Sequence, residues 1–211
     1  MPDFTIGGSE CGAACGLDPY RSPVALWAEK TGLTEPREAG EAARWGQLLE
    51  HVIVAQVRER GYYVEQTIPE WEVAGPEPWM LSHPDGVCAT NPGAPRGVLE
   101  IKTAGSWIKG WEEDGVPPAY VAQVHHYMHA TALDWTLIAC LIGGQKLELR
   151  TVERDDALLA MILEAEAEFV GYCERNEPPP PEGSPATTEV LRRLYPRAHE
   201  GETVALTAAD M

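Results

Sequence analysis

Positive charge is scarce in this chain: 16 Lys and Arg stand against 33 Asp and Glu, a formal net charge of −17 over 211 residues. That balance excludes a protein that holds nucleic acid by bulk attraction, because such binders displace counterions with a broad basic face. A local basic patch, or a metal ion that neutralises an acidic site, stays compatible with it. No apolar stretch reaches the length of a membrane span, and the first residues lack the basic-then-apolar order of a signal peptide, so a soluble, cytoplasmic protein is expected. Five cysteines, an odd number in no dense framework, fit reduced thiols better than disulfides. Internal repeats are absent, and the length suits one domain with a tail.

What is present is clearly punctuated. Asp18-Pro19-Tyr20-Arg21-Ser22-Pro23 reads as a turn between a short helix, capped by Ser9 and running to about Cys15, and a second helix from Val24 to Lys30. From about Pro36 to Arg60, the residues Trp45, Leu48, Leu49, Val52, Ile53 and Val57 recur at helical spacing, which predicts one long amphipathic helix ended by Gly61. Strands are expected at 62–67, 79–81, 86–89 and 97–103, a meander broken by Pro and Gly clusters. A helix over 118–130 follows, then a buried strand at 135–142, its hairpin partner at 146–152 across Gly143-Gly144, and a core helix over 155–175. This order predicts an α/β domain over residues 1–176. Pro178 to Pro181 open a stiff linker, 177–186, and the tail, 187–211, is expected to be peripheral, with one helical candidate at 188–194.

The meander contains the pattern that carries chemistry. Gly97-Val98-Leu99-Glu100-Ile101-Lys102-Thr103 alternates so that, as a strand, Glu100 and Lys102 share one face while Ile101 points into a core. Asp85, in Ser82-His83-Pro84-Asp85-Gly86, belongs to the neighbouring strand, from which its carboxylate can meet Glu100 across the sheet. Two carboxylates so placed suit Mg²⁺, a hard cation that prefers oxygen and keeps several waters, with Lys102 beside the metal's water. Glu-x-Lys by itself is weak evidence, since at about 6% usage of each residue a chain this long holds roughly one by chance. A solvent-facing charge pair is the plain alternative.

Three further segments bear on that choice: Ile6-Gly7-Gly8-Ser9-Glu10, Trp45-Gly46-Gln47-Leu48-Leu49-Glu50 on the long helix, and Tyr120-Val121-Ala122-Gln123-Val124-His125-His126-Tyr127-Met128 on a later one. In this order, with Asp85 and Glu100-x-Lys102, they resemble the YqaJ-type viral recombinase family, relatives of the phage lambda exonuclease among the PD-(D/E)XK nucleases, over roughly residues 4–175. The resemblance implies a restriction-endonuclease-like core, a central mixed β-sheet flanked by helices. It also implies exonuclease digestion of linear double-stranded DNA with Mg²⁺, Mn²⁺ being the alternative metal. By the same resemblance, digestion runs 5′→3′ and leaves mononucleotides and a 3′ single-stranded tail. The implied partners are duplex DNA ends, a single-strand annealing protein of a phage-type recombination system, and two further copies in a trimeric ring. The setting would be the cytoplasm of a bacterial host carrying a phage or prophage.

Phosphodiester hydrolysis needs a nucleophile made at neutral pH and stabilisation of developing negative charge, and metal ions supply both. Asp85 and Glu100 are the expected metal ligands, with the Ile101 backbone carbonyl as a third oxygen. Lys102 would orient or help deprotonate the attacking water. Glu50 matches the family's helix-borne acidic residue and would complete the sphere of one metal or support a second about 4 Å away. Gln123 and Tyr127, four residues apart on one helical face, are candidates for binding the scissile strand or steering the water. Ser9 is a candidate for the terminal 5′-phosphate, or a plain helix cap. The arginine that the lambda pattern has a few residues upstream of Ser9 is absent, and Arg21 is the candidate substitute.

Other constellations are weaker. His125 and His129 share a helical face, yet no H-E-x-x-H pattern accompanies them. Cys11 and Cys15 have similar spacing, but a zinc or iron–sulfur site needs further ligands, and Cys88, Cys140 and Cys173 are scattered. Trp107 and Trp111, beside the site strand, are candidates for DNA contact, although packing is the commoner role. Alternatives to the exonuclease are an endonuclease or single-strand nuclease of the same fold, a non-catalytic DNA-binding subunit, and a structural metal protein using the histidines.

Overall fold

The computed structural model describes residues 4–36, 40–66, 71–107, 110–111 and 115–194. The chain enters through a two-residue strand, β1 (Ile6–Gly7), into a short helix, α1 (Gly8–Ala14), and then α2 (Pro23–Lys30). Ser22 caps α2, its hydroxyl accepting from the Ala25 N–H at 3.1 Å, and Pro23 fits the first turn, where its missing N–H costs nothing. The cap expected at Ser9 lies elsewhere: Gly7 holds that position, and its N–H donates to Glu10 Oε2 at 2.9 Å. Ser9 sits inside the first turn, exposed.

The long helix, α3 (Glu41–Glu59), buries Ile53, Val54 and Val57. Trp45, Leu48 and Val52, expected on the same core stripe, are 55%, 51% and 45% exposed. Helical periodicity identifies faces without saying what each face meets, and this helix carries two apolar faces. Residues 37–39 of the expected helix start lie outside the described residues.

After β2 (Tyr63–Gln66) come β3 (Val73–Ala74), β4 (Met80–Ser82), β5 (Gly86–Ala89) and β6 (Gly97–Ala104). Residue 67 of the first expected strand lies outside the described residues. The helix α4 (Pro118–Thr131) crosses over to β7 (Trp135–Ile142), which turns back into β8 (Lys146–Glu153). Three residues join the strands, and Gly143 and Gly144 both have positive φ, 60° and 71°, at the centre of the turn that the Gln145 N–H closes on the Ile142 carbonyl at 3.2 Å. The chain then forms α5 (Asp156–Arg175) and α6 (Pro185–Leu194).

Five strands form a mixed sheet in the order β2-β5-β6-β7-β8, in which β6 and β7 run parallel and the other pairs antiparallel. The expected meander is only partly realised. β4 leaves it, pairing parallel with β1 and antiparallel with β3 in a separate three-stranded sheet. Strands of two residues carry no readable period, so β1 and β3 had no sequence signal.

The alternation along β6 sorts its residues to two faces. Leu99 and Ile101 join Ile53, Val54 and Val57 of α3, while Val98 and Ala104 join Val124 and Met128 of α4. The tail expected to be peripheral packs back as far as residue 194: Val190 and Leu194 lie against the cluster of Leu26 and Trp27, and Thr187 is buried. Among the described residues no helix is long and apolar enough to cross a membrane.

Candidate active site

Antiparallel register brings the two expected acids together. Gly86 is paired with Leu99, so Asp85, one residue earlier, comes opposite Glu100. Asp85 Oδ2 accepts the Ile101 N–H at 2.7 Å, which fixes the carboxylate at the start of the strand. Glu100 Oε1 accepts from Lys102 Nζ at 2.5 Å and from Gln123 Nε2 at 2.7 Å, and Gln123 Nε2 also reaches Tyr127 Oη at 3.0 Å. Glu100, Gln123 and Tyr127 are all buried.

These groups line a cleft of about 490 Å³ that Glu50 closes from α3. Gly46, one turn before Glu50, runs close over β6: a Cβ there would lie 3.4 Å from Thr103 Oγ1. On the opposite wall, Gly8 has a steric reason. Any Cβ at Gly8 would overlap the Tyr127 ring, so glycine is what lets α1 meet α4 beside Gln123.

Charge in the cleft is unbalanced. Burial pushes the Glu100 carboxyl up to about 8, against the opposing pull of Lys102. Burial likewise raises Asp85, and it raises Glu50 with help from the Asp85 carboxylate. For Lys102, burial alone would lower the ammonium, but Glu100, with Asp85 and Tyr120 adding to it, raises the pKa above the ordinary lysine value. Its Nζ also lies 5.1 Å from the centre of the Tyr120 ring. Glu100 Oε2 is buried and receives no N–H donor among the described residues, its carboxyl standing beside that of Asp85. Three converging carboxylates, one of them with an oxygen that no N–H reaches, form a donor set that fits a hard divalent cation. Asp85 and Glu100 would hold such an ion, with Glu50 across the cleft, and Ile101, whose carbonyl is the expected third oxygen, also lines it.

Two expected site residues fare differently. Ser9 borders the cleft. Arg21 does not: its guanidinium lies 2.5 Å from Glu29 and 3.6 Å from Glu10, and it lines a separate depression with α6. Two carboxylates already engage it, so it is no substitute for the missing upstream arginine. Of the two tryptophans, Trp107 is 82% exposed but Trp111 is buried against Tyr120. Sequence reasoning missed His83, Gln47 and Thr103 on the cleft wall. Their proximity in sequence to Asp85, Glu50 and Lys102 was the only signal for them.

The discounted constellations are accounted for. His125 Nδ1 lies 2.8 Å from the Val121 carbonyl, and its Nε2 accepts the Asp155 N–H at 3.1 Å, so both ring nitrogens serve the backbone. All five cysteines are free thiols. Cys11, His126 and Glu166 meet in the interior, but His126 Nδ1 and Glu166 Oε1 already face each other at 2.7 Å. With Leu81 and Trp79 as further partners, that pair ties α4 to α5 and to the strand leading to Asp85.

Comparison with known proteins agrees with this picture. The solved structure of the alkaline exonuclease LHK-Exo from Laribacter hongkongensis superposes with a TM-score of 0.64 at 21% identity, covering 90% of this chain and 92% of that one. A phage-related exonuclease from Haemophilus somnus 129PT gives 0.57 at 13% identity, over 82% of this chain and 95% of that one. The fold is therefore restriction-endonuclease-like, as the resemblance implied. Protein YqaJ of Bacillus subtilis (strain 168) is 32% identical over 216 residues, spanning 97% of this chain but 65% of its own length. The model of the YqaJ-like viral recombinase domain matches residues 3–134, which hold every cleft residue named above. By that match, this chain belongs to the YqaJ-like viral recombinase family.

Proposed function

We propose that this chain is a metal-dependent exonuclease that degrades linear double-stranded DNA and supplies single-stranded tails to phage-type recombination. The observation that carries the reading is the convergence of Asp85, Glu100, Glu50 and Lys102 in one cleft, with Glu100 Oε2 receiving no N–H donor from the described residues. A divalent cation, Mg²⁺ before Mn²⁺, would there lower the pKa of bound water and offset charge on the phosphate.

The chain's own residues do the positioning. Gln123 and Lys102 both hold Oε1 of Glu100, so the other oxygen, Oε2, receives no donor from the described residues. The Ile101 N–H orients Asp85. Lys102 keeps its proton through the Glu100 carboxylate, which makes it a donor suited to orienting a water and to balancing charge as the phosphate is attacked. Tyr127 and Ser9 stand on the opposite wall, where the scissile strand or its terminal phosphate would lie.

Family membership supports 5′→3′ polarity, a single-strand annealing protein as partner, and a ring of three copies around the duplex, in the host cytoplasm. Duplex DNA labelled at its 5′ or its 3′ end, incubated with Mg²⁺ or Mn²⁺ beside closed circular DNA, tests the reading. Metal-dependent early loss of the 5′ label with the circle left intact is expected. A cut circle would mean an endonuclease of the same fold, and early loss of the 3′ label would reverse the polarity.

A further inference from the structure

The outer face of α3 bears an apolar seam that the fold leaves uncovered. Trp45, Leu48, Val52 and Ala55 recur at spacings of three, four and three, and all four are exposed. At about 100° per residue they fall on the side opposite Ile53, Val54 and Val57, which enter the core. Such spacing is that of residues that meet a second helix by knobs-into-holes packing.

One flank of the seam is basic. Arg44, His51 and Arg58 lie seven residues apart, so they form one row beside the apolar stripe, and all three are exposed. None of them makes an ion pair among the described residues. Of the other described Lys and Arg, Arg21, Lys30, Arg96, Lys102, Lys146, Arg150, Arg154, Arg175 and Arg193 each lie against a carboxylate, and Arg60 and Arg192 do not. In a chain of net charge −17, a row of unpaired basic side chains beside an apolar seam marks a surface with a preference.

The charges select the occupant. A second copy of α3 fits poorly. Antiparallel pairing sets the Arg44-His51-Arg58 row against itself and Glu41 against Glu59, while parallel pairing offers that row only Leu49 and Gln56. A DNA backbone fits poorly too, because Leu48 and Val52 gain nothing from phosphates, whereas the apolar stripe of an amphipathic helix covers them. We propose that the α3 seam docks an amphipathic helix of another protein whose apolar stripe is flanked by acidic residues. The contact spans about three turns of helix, so binding in the micromolar range is expected. The proposal does not depend on the nuclease reading, since α3 presents Glu50 to the cleft from its other face.

The test uses the full chain and two labelled 15-residue helical peptides with Leu at the seam positions, one flanked by Glu and one by Lys, with binding read by fluorescence anisotropy. The acidic peptide should bind about tenfold more tightly than the basic one, and added salt should narrow the gap. Leu48→Glu with Val52→Glu should abolish binding, and Arg44→Glu with Arg58→Glu should reverse the preference. All four positions are exposed, so the variants should keep the wild-type unfolding midpoint. Equal binding of the two peptides, or none, would overturn the proposal. So would a wild-type oligomer that Leu48→Glu converts to monomer, which assigns the seam to a second copy. Duplex binding lost on the arginine reversals, with peptide preference unchanged, would assign it to nucleic acid.

Discussion

Gln123 donates to Glu100 across 2.7 Å, and the other oxygen of the same carboxylate is buried and receives no N–H donor among the described residues. The amide, with Lys102 on the same oxygen, thus leaves Oε2 for a ligand. Gln123→Ala should leave the fold intact at a cost of about 1–3 kcal/mol, the range for stranding a buried polar partner. DNA hydrolysis should fall by roughly 10²-fold or more, as for loss of one preorganised donor. Urea unfolding and steady-state digestion rates separate the two effects.

The cleft's charge makes a pH prediction for metal-free protein. Folding raises Glu100 to about 8 and also raises Asp85 and Glu50, so between the unfolded carboxylate value and pH 8 the folded state binds more protons than the unfolded one. Stability is therefore greatest below about pH 4.3 as far as these groups are concerned, and it is lost progressively as pH rises towards 8. A divalent cation needs the ionised carboxylates and should restore more stability at pH 8 than at pH 5.5. Thermal midpoints with EDTA and with Mg²⁺ at both pH values check this; an equal metal effect at the two would contradict it.

Gly8 and Tyr127 make a steric prediction. A methyl group at position 8 must displace the Tyr127 ring, so Gly8→Ala should destabilise by about 1–3 kcal/mol and weaken digestion by moving Gln123. Tyr127→Phe removes only the hydroxyl that Gln123 contacts and should cost less stability than Gly8→Ala. Chemical denaturation of the two variants gives the comparison.

The buried His126–Glu166 pair should behave non-additively. Removing either partner alone strands the other in the interior, at about 1–3 kcal/mol, while His126→Leu combined with Glu166→Leu should cost less than the sum of the single changes. A double-mutant cycle on unfolding free energies measures the coupling.

The cleft was legible in the sequence where strand alternation and register carry meaning. Glu100 and Lys102 share a face because the side-chain period of a strand is two, and Asp85 reaches Glu100 because a hairpin sets the register. Family spacing located Glu50 and Gln123. What sequence could not supply was burial. The period that marks Ile53 and Val57 as apolar-face residues marks Leu48 and Val52 equally, and only the packed fold shows that one set faces the core and the other faces outward. The same limit hid Arg21, whose neighbours Glu10 and Glu29 come from α1 and α2 and engage it away from the cleft. Glu166 lay beyond reading, because its partner is 40 residues distant and no local pattern links the two.

Lys102 offers the most direct test of the central claim, since in the proposed function it serves the chemistry without being a metal ligand. Calorimetric titration of Mn²⁺ and digestion of end-labelled duplex DNA should be measured on wild type and Lys102→Ala in parallel. Metal binding kept within a few-fold, with metal-dependent digestion reduced by about 10³-fold or more, is the predicted result. Unimpaired digestion by Lys102→Ala, or a wild-type protein that binds no divalent metal, would contradict the account.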